Sequence, residues 1–183
     1  MVIKNNMIKR VKELDSNALI ASKEFREFAE KFESEINRGI STLCILSIIM
    51  QSNSEGTYAY KILKELKEQT KDMLIIEEGT LYPLLSKLEH DGLINSTKQE
   101  TGRKRKYYSM TDNGIKVFNH ISGYFAKLSE AISPLFDINV GLKDRYLYCP
   151  NCANKIDILN SEYQFCEICG LSIKELKERR LEK

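Results

Sequence analysis

Four of the chain's five cysteines stand in two pairs, Cys149-Pro150-Asn151-Cys152 and Cys166-Glu167-Ile168-Cys169, the second followed by Gly170. A CxxC turn lets two thiolates converge on one ion while the N–H groups of the turn face the sulfurs. Four thiolates close a tetrahedral shell without an open position, which is the form of a structural Zn2+ site. Zinc is preferred here over a redox dithiol pair or an iron centre. The segment between the pairs, Ala153 to Phe165, has room for a small hairpin through Ile156, Ile158, Tyr163 and Phe165. So few apolar residues cannot fold the module alone, so the metal is expected to supply its folding energy. Cys44 sits by itself in an apolar run and reads as a core filler.

A second chemistry lies upstream. Arg103, Lys104, Arg105 and Lys106 are consecutive, just after Gly102 and between two stretches that alternate like strands, Leu93–Gln99 and Lys106–Met110. Alternation places Arg103 and Arg105 on one side of the chain and Lys104 and Lys106 on the other. Duplex nucleic acid is a dense line of negative charge, and cations that displace its counterions supply most of the affinity. Alone, such a run reads as a solvated hairpin tip. What points it at nucleic acid is the helix before it, expected over Gly79–His90.

That helix buries a stripe of Leu81, Leu84, Leu85 and Leu88. Its other face carries Pro83, Ser86 and His90, flanked by Thr80, Tyr82 and Lys87, a surface small enough for a major groove. Thr80 and the free N–H groups at the helix start suit a phosphate. Pro83 is tolerated in the first turn, and Gly92 ends the helix. Glu77, Glu78 and Glu89 stand close by and repel phosphate. The expected DNA contacts are therefore Thr80, Tyr82, Pro83, Ser86, Lys87, Arg103, Lys104, Arg105 and Lys106. Of Tyr107 and Tyr108, one should pack inward.

Other elements must hold these groups. Met7 to Ile36 reads as one helix with an apolar seam at Val11, Leu14, Ala18, Ala21, Phe25, Phe28 and Phe32, spaced alternately three and four. The seam could pack on a helix of the same chain, but a dimer interface is the favoured reading. Asn37-Arg38-Gly39 breaks the pattern before a short buried helix, Ile40–Met50. Thr57–Gln69 is expected as a helix with Tyr60, Leu63 and Leu66 on one face, and Asp72–Ile76 as a brief strand. Thr111 suits the N-cap of a long helix from Asp112 to about Phe136, whose apolar stripe runs through Ile115, Phe118, Ile121 (or Ser122), Phe125, Leu128 and Ile132. Ser172 and Glu175 form a capping box for a last helix.

Bulk properties narrow the classes. The chain has 183 residues and a net charge of only +2, so a nucleic-acid function must rest on a local basic patch. No signal peptide is evident, and the longest apolar run, Ile40–Met50, is about half a membrane span. A soluble cytoplasmic protein is expected. With two histidines, His90 and His120, and its paired thiols assigned to metal, the chain shows no catalytic constellation and is not expected to be an enzyme.

Glu77 to Ile94, EEGTLYPLLSKLEHDGLI, followed by GRKRKYYSMTDNG from Gly102, resembles the PadR family of transcriptional regulators in order and spacing. One departure is Ala59-Tyr60, where family members usually carry a glycine-tyrosine pair. The resemblance covers roughly Gly39 to Phe136 and implies a homodimeric DNA-binding regulator, usually a repressor, sometimes relieved by a small ligand. The tail resembles a zinc ribbon.

The expected architecture is mainly α with a small β wing: a winged helix-turn-helix with long N-terminal and C-terminal dimerisation helices and a zinc-ribbon module. The divisions are an N-terminal helix over 1–36, the winged helix over 37–111, the long helix over 112–137, and the ribbon with its terminal helix over 145–183. The expected function is sequence-specific binding of double-stranded DNA by a homodimer, with a small-molecule effector or a protein partner as further possibilities. The competing reading is a protein-binding adaptor, in which the winged helix and ribbon both dock on polypeptide.

Overall fold

The computed structural model describes residues 23–52, 56–98, 105–142, 145–157 and 164–174. The chain divides into two compact units at Thr111 and Asp112.

In the first unit, α1 (Lys23–Gln51) is followed by β1 (Thr57–Tyr58), α2 (Ala59–Gln69), α3 (Glu78–His90), β2 (Ile94–Lys98) and β3 (Lys106–Met110). The strands form one antiparallel sheet in the order β1-β3-β2. In β2–β3, Ile94 faces Met110 and Lys98 faces Lys106. The core joins Ile45 and Ile49 of α1, Ile62 and Leu66 of α2, Leu81 and Leu85 of α3 and Ile94 of β2, all fully buried. Three helices and a small sheet thus share one core, and the β2–β3 pair is the wing.

Several expectations are corrected. The break at Asn37–Gly39 does not occur: α1 runs continuously through it for 29 residues. A mid-helix glycine costs only about 1 kcal/mol, which the buried C-terminal half of α1 readily offsets. Added atoms at Gly39 would meet nothing. The part of the first helix before Lys23 lies outside the described residues.

Thr57 and Tyr58 are not helical but pair with Tyr108 and Tyr107. Consequently α2 begins two residues late and turns a different face inward. Ala59, Ile62 and Leu66 are buried, whereas Tyr60 is exposed.

The strand expected over Asp72–Ile76 is absent. Lys71 and Asp72 both adopt left-handed φ, 52° and 63°, and the Leu74 N–H donates to Thr70 Oγ1 at 3.1 Å. Leu74 and Ile76 are buried as the alternation suggested, but among the described residues no strand pairs with them.

The α3 helix begins one residue before its expected start and ends as expected. Its end is a Schellman turn: Gly92 has φ +70°, its N–H donates to Glu89 O, and the Leu93 N–H donates to Leu88 O. The Thr111 hydroxyl donates to Gly92 O at 2.7 Å. This ties the end of β3 to the turn that leads from α3 into the wing.

In the second unit, α4 (Asp112–Ile132) passes into a 3-10 turn, Ser133–Phe136, that begins around Pro134. β4 (Tyr146–Tyr148) and β5 (Lys155–Asp157) then pair antiparallel. No described helix is long and apolar enough to cross a membrane.

Candidate nucleic-acid interface and cysteine cluster

The outward face of α3 carries Thr80, Tyr82, Pro83, Ser86 and Lys87, all exposed. The leucines at 81, 85 and 88 are buried beneath them, so the amphipathic spacing aims the polar face away from the core. Across a cleft of about 530 Å³ stands the base of the wing. The cleft is lined by Tyr58, Tyr60, Glu78, Tyr82, Arg105 and Lys106, among others. Arg103 and Lys104, at the expected wing tip, lie outside the described residues.

Arg105 is half-buried because its guanidinium stacks 4.4 Å from the centre of the Tyr58 ring. Tyr58 in turn meets Tyr107 edge-on at 5.6 Å. A guanidinium on an aromatic face keeps its charge and its donors while losing freedom, so it is preset for an anion. Tyr58 and Tyr60 were missed by sequence reasoning. Their role depends on β1, and a two-residue strand carries no readable alternation.

Lys106 is placed differently from Arg105. Its Nζ lies 2.7 Å from Glu89 Oε2 and 5.3 Å over the Tyr108 ring. The bond to Glu89 raises the Lys106 pKa, and the same bond lowers that of Glu89. Tyr108 is the inward member of the tyrosine pair, and burial pushes its hydroxyl pKa up. His90, at the end of α3, is largely exposed beside Asp91.

The cysteine cluster is built from two matching turns. In the first, the Cys149 N–H donates to Asn154 O at 3.0 Å and the Ala153 N–H donates to Cys149 O at 2.8 Å. In the second, the Cys166 N–H donates to Leu171 O and the Gly170 N–H to Cys166 O, both at 2.8 Å. The residue after the second cysteine is left-handed each time, Ala153 at φ 59° and Gly170 at φ 70°. The strand pairing of the described residues flanks these turns rather than joining them. β4–β5 brackets the first, and a Phe165–Ser172 bridge brackets the second. Ser172 is therefore in an extended bridge. Ile158, Tyr163 and Glu175, invoked for the expected hairpin and capping box, lie outside the described residues.

All four sulfurs lie within 4.8 Å of one another. Cys149–Cys169 and Cys152–Cys166 are each 3.5 Å apart. A tetrahedral shell with metal–sulfur bonds of about 2.3 Å places its sulfurs about 3.8 Å apart, so the donor set fits one such ion. Backbone N–H groups point at the sulfurs, as a thiolate cluster needs. The Leu171 N–H and the Asn151 side chain draw Cys169 down to about 6, whereas burial pushes Cys152 up to about 12. Cys149, Ile156, Cys166 and Ile173 form the small core around the cluster. Cys44 stands apart in α1, and burial pushes its thiol up, as suits a packing residue.

This module sits directly on α4. A Cβ at Gly123 would lie 2.1 Å from Ala153 O and 2.7 Å from the Lys155 N. Both are backbone atoms that cannot swing aside. Lys155 also reaches 5.5 Å over Phe118 of the same helix. Gly123→Ala should therefore lower the thermal stability of this unit by about 1–3 kcal/mol, although alanine favours the helix by about 1 kcal/mol. A calorimetric scan in which the variant melts at or above the wild type would show that the close approach carries no weight.

A sequence profile of the transcriptional regulator PadR-like family matches residues 45–120. A crystal structure of a PadR family transcriptional regulator from Eggerthella lenta has 28% identity and a TM-score of 0.53, covering 63% of this chain and 94% of that one. A PadR-like transcription factor from Bacteroides fragilis has 32% identity and a TM-score of 0.47, covering 57% and 98%. An uncharacterised protein from Lysinibacillus sphaericus is 31% identical over 101 residues, 54% of this chain and 90% of its own length. The profile match spans α2, α3 and the wing and stops before the cysteines. Its family is one of transcriptional regulators rather than enzymes. The chain belongs to the PadR-like family of transcriptional regulators, whose domain it carries at residues 45–120.

Proposed function

We propose that this chain is a sequence-specific, duplex-DNA-binding repressor acting as a homodimer, with a structural Zn2+ held by Cys149, Cys152, Cys166 and Cys169. The observation that carries the reading is the cleft between α3 and the wing. It joins an uncluttered polar helix face to a preset arginine, Arg105. In this reading Thr80 and Lys87 hold phosphates, Tyr82, Pro83 and Ser86 face the groove, and Arg103, Lys104 and Arg105 grip the backbone beside it. Lys106 contributes less direct charge than its neighbours because Glu89 neutralises it.

A second copy is supported by apolar residues that α1 leaves in solvent. Phe28, Phe32 and Ile36 are each more than 60% exposed in the single chain; Phe28 and Phe32 lie on the expected seam, and Ile36 follows one turn after Phe32. Residues Phe125, Leu128 and Ile132 of α4 are exposed too. Patches of this kind on a soluble chain mark association surfaces. Two copies would present two α3 helices to half-sites about one helical turn apart.

The test is the salt dependence of binding. Duplex affinity measured by fluorescence anisotropy should fall linearly with the logarithm of salt concentration. Arg105→Gln should weaken binding to all duplexes and flatten the slope by about one. An unchanged slope would remove Arg105 from the contacts.

A further inference from the structure

Glu89 is placed where a carboxylate is electrostatically wrong twice over. It lies in the last turn of α3, where the helix macrodipole disfavours negative charge, and on the element proposed to face a polyanion. Yet neither oxygen is idle. Oε1 accepts from the Ser96 hydroxyl, and Oε2 accepts from Lys106 Nζ at 2.7 Å. Ser96 belongs to β2 and Lys106 to β3. Ser96 lies opposite Tyr108, two residues from Lys106 along β3, so both donors share one face of the wing. One side chain of the helix thus holds both strands of the wing at once.

The pair is too solvated to be explained by stability. The Lys106 and Glu89 side chains retain 41% and 34% of their exposure, and exposed ion pairs contribute little. What the arrangement does supply is geometry. The Schellman turn, the Thr111 bond to Gly92 O and the β1–β3 pairing hold the base of the wing. The two bonds from one carboxylate add a direct tie between the last turn of α3 and both strands of the wing.

We propose that Glu89 is a positioning residue for DNA selection, setting the angle between α3 and the wing so that helix contacts and wing contacts fit the same stretch of duplex. The inference rests on the DNA-binding reading above and deepens it. It makes a prediction opposite to that of charge alone. By Coulomb's law, removing an acid beside the duplex and freeing Lys106 strengthens binding to every sequence. By geometry, it strengthens binding to unselected DNA and spoils discrimination.

The experiment uses the full zinc-loaded chain, a duplex selected by it from a random pool, and a scrambled duplex of equal length. Affinities are measured at several salt concentrations for the wild type, Glu89→Gln, and the exchange Glu89→Lys with Lys106→Glu. For Glu89→Gln the scrambled duplex should bind more tightly with a salt slope steeper by about one. The ratio of selected to scrambled affinity should fall about tenfold, the worth of one good base contact. The exchange, which keeps the net charge and restores the pair, should recover most of the ratio. Both affinities rising together at constant ratio would overturn the proposal and leave Glu89 as a charge alone. Failure of the exchange to recover the ratio would overturn the role of the pair. A Glu89→Gln chain melting far below the wild type would assign the residue to stability and overturn it equally. If the wild type selects no duplex, the DNA-binding reading falls, and this inference falls with it.

Discussion

Cys166→Ser should abolish the proposed metal binding and unfold the C-terminal module, while α1 to β3 stay folded. Cys166 is 2% exposed and belongs to the small core with Cys149, Ile156 and Ile173. Two of those four residues are themselves cysteines. Without the proposed ion, thiols packed against two isoleucines and a pair of three-residue strands should not offset the entropy of ordering the turns. Structural zinc in small modules supplies roughly 10–16 kcal/mol of apparent binding energy, and that energy is folding energy. A serine cannot replace the lost thiolate, and three ligands leave the shell open. Elemental analysis of protein prepared without chelator should give one zinc per wild-type chain and none in the variant. Amide exchange should then become fast at the Cys149, Ala153, Cys166 and Gly170 N–H groups, which the two turns now protect. A chelator should do the same to the wild type. Slow exchange at those amides in metal-free protein would show that the module folds without the ion.

The second large effect is expected at the centre of the other unit. Leu85 is 0% exposed, between the exposed Pro83 and Ser86 in sequence but on the buried side of α3. Leu85→Ala removes most of a side chain that the core surrounds completely and should cost about 2–5 kcal/mol. Set against a total stability of about 5–15 kcal/mol, that loss leaves α3 poorly anchored. Leu85→Met, which conserves volume, should cost less than about 1.5 kcal/mol. Urea unfolding should show a lower midpoint at unchanged slope for the alanine variant. Because α3 carries the proposed groove contacts, duplex affinity should fall even though Leu85 touches no DNA. A loss below about 1 kcal/mol would mean the site collapses readily, contrary to its complete burial.

The parts legible in the sequence were those whose determinants are local. The leucine spacing from Leu81 to Leu88, Pro83 in the first turn and Gly92 at the end define α3 without help from elsewhere. CxxC turns are equally self-contained, and the structure gathers all four sulfurs. Misreadings arose where a distant partner decides the outcome. Thr57 and Tyr58 are strand only because Tyr107 and Tyr108 lie beside them. Asp72 to Ile76 alternates but, among the described residues, has no strand to pair with. Gly39 resembles a breaker, yet the core residues that follow it carry the helix through. The Glu89 bonds to Ser96 and Lys106 span 7 and 17 residues, and no local pattern announces them. Read from charge alone, Glu89 was only an obstacle to phosphate.

If α3 and the wing together select a DNA sequence, the full, zinc-loaded chain incubated with a random-sequence duplex library should retain a distinct set of fragments on sequencing. A single enriched motif with two related half-sites about one helical turn apart is expected, lost when Arg103 and Arg105 are both changed to glutamine. Retained fragments no different from the input library would mean that the chain does not select DNA sequence.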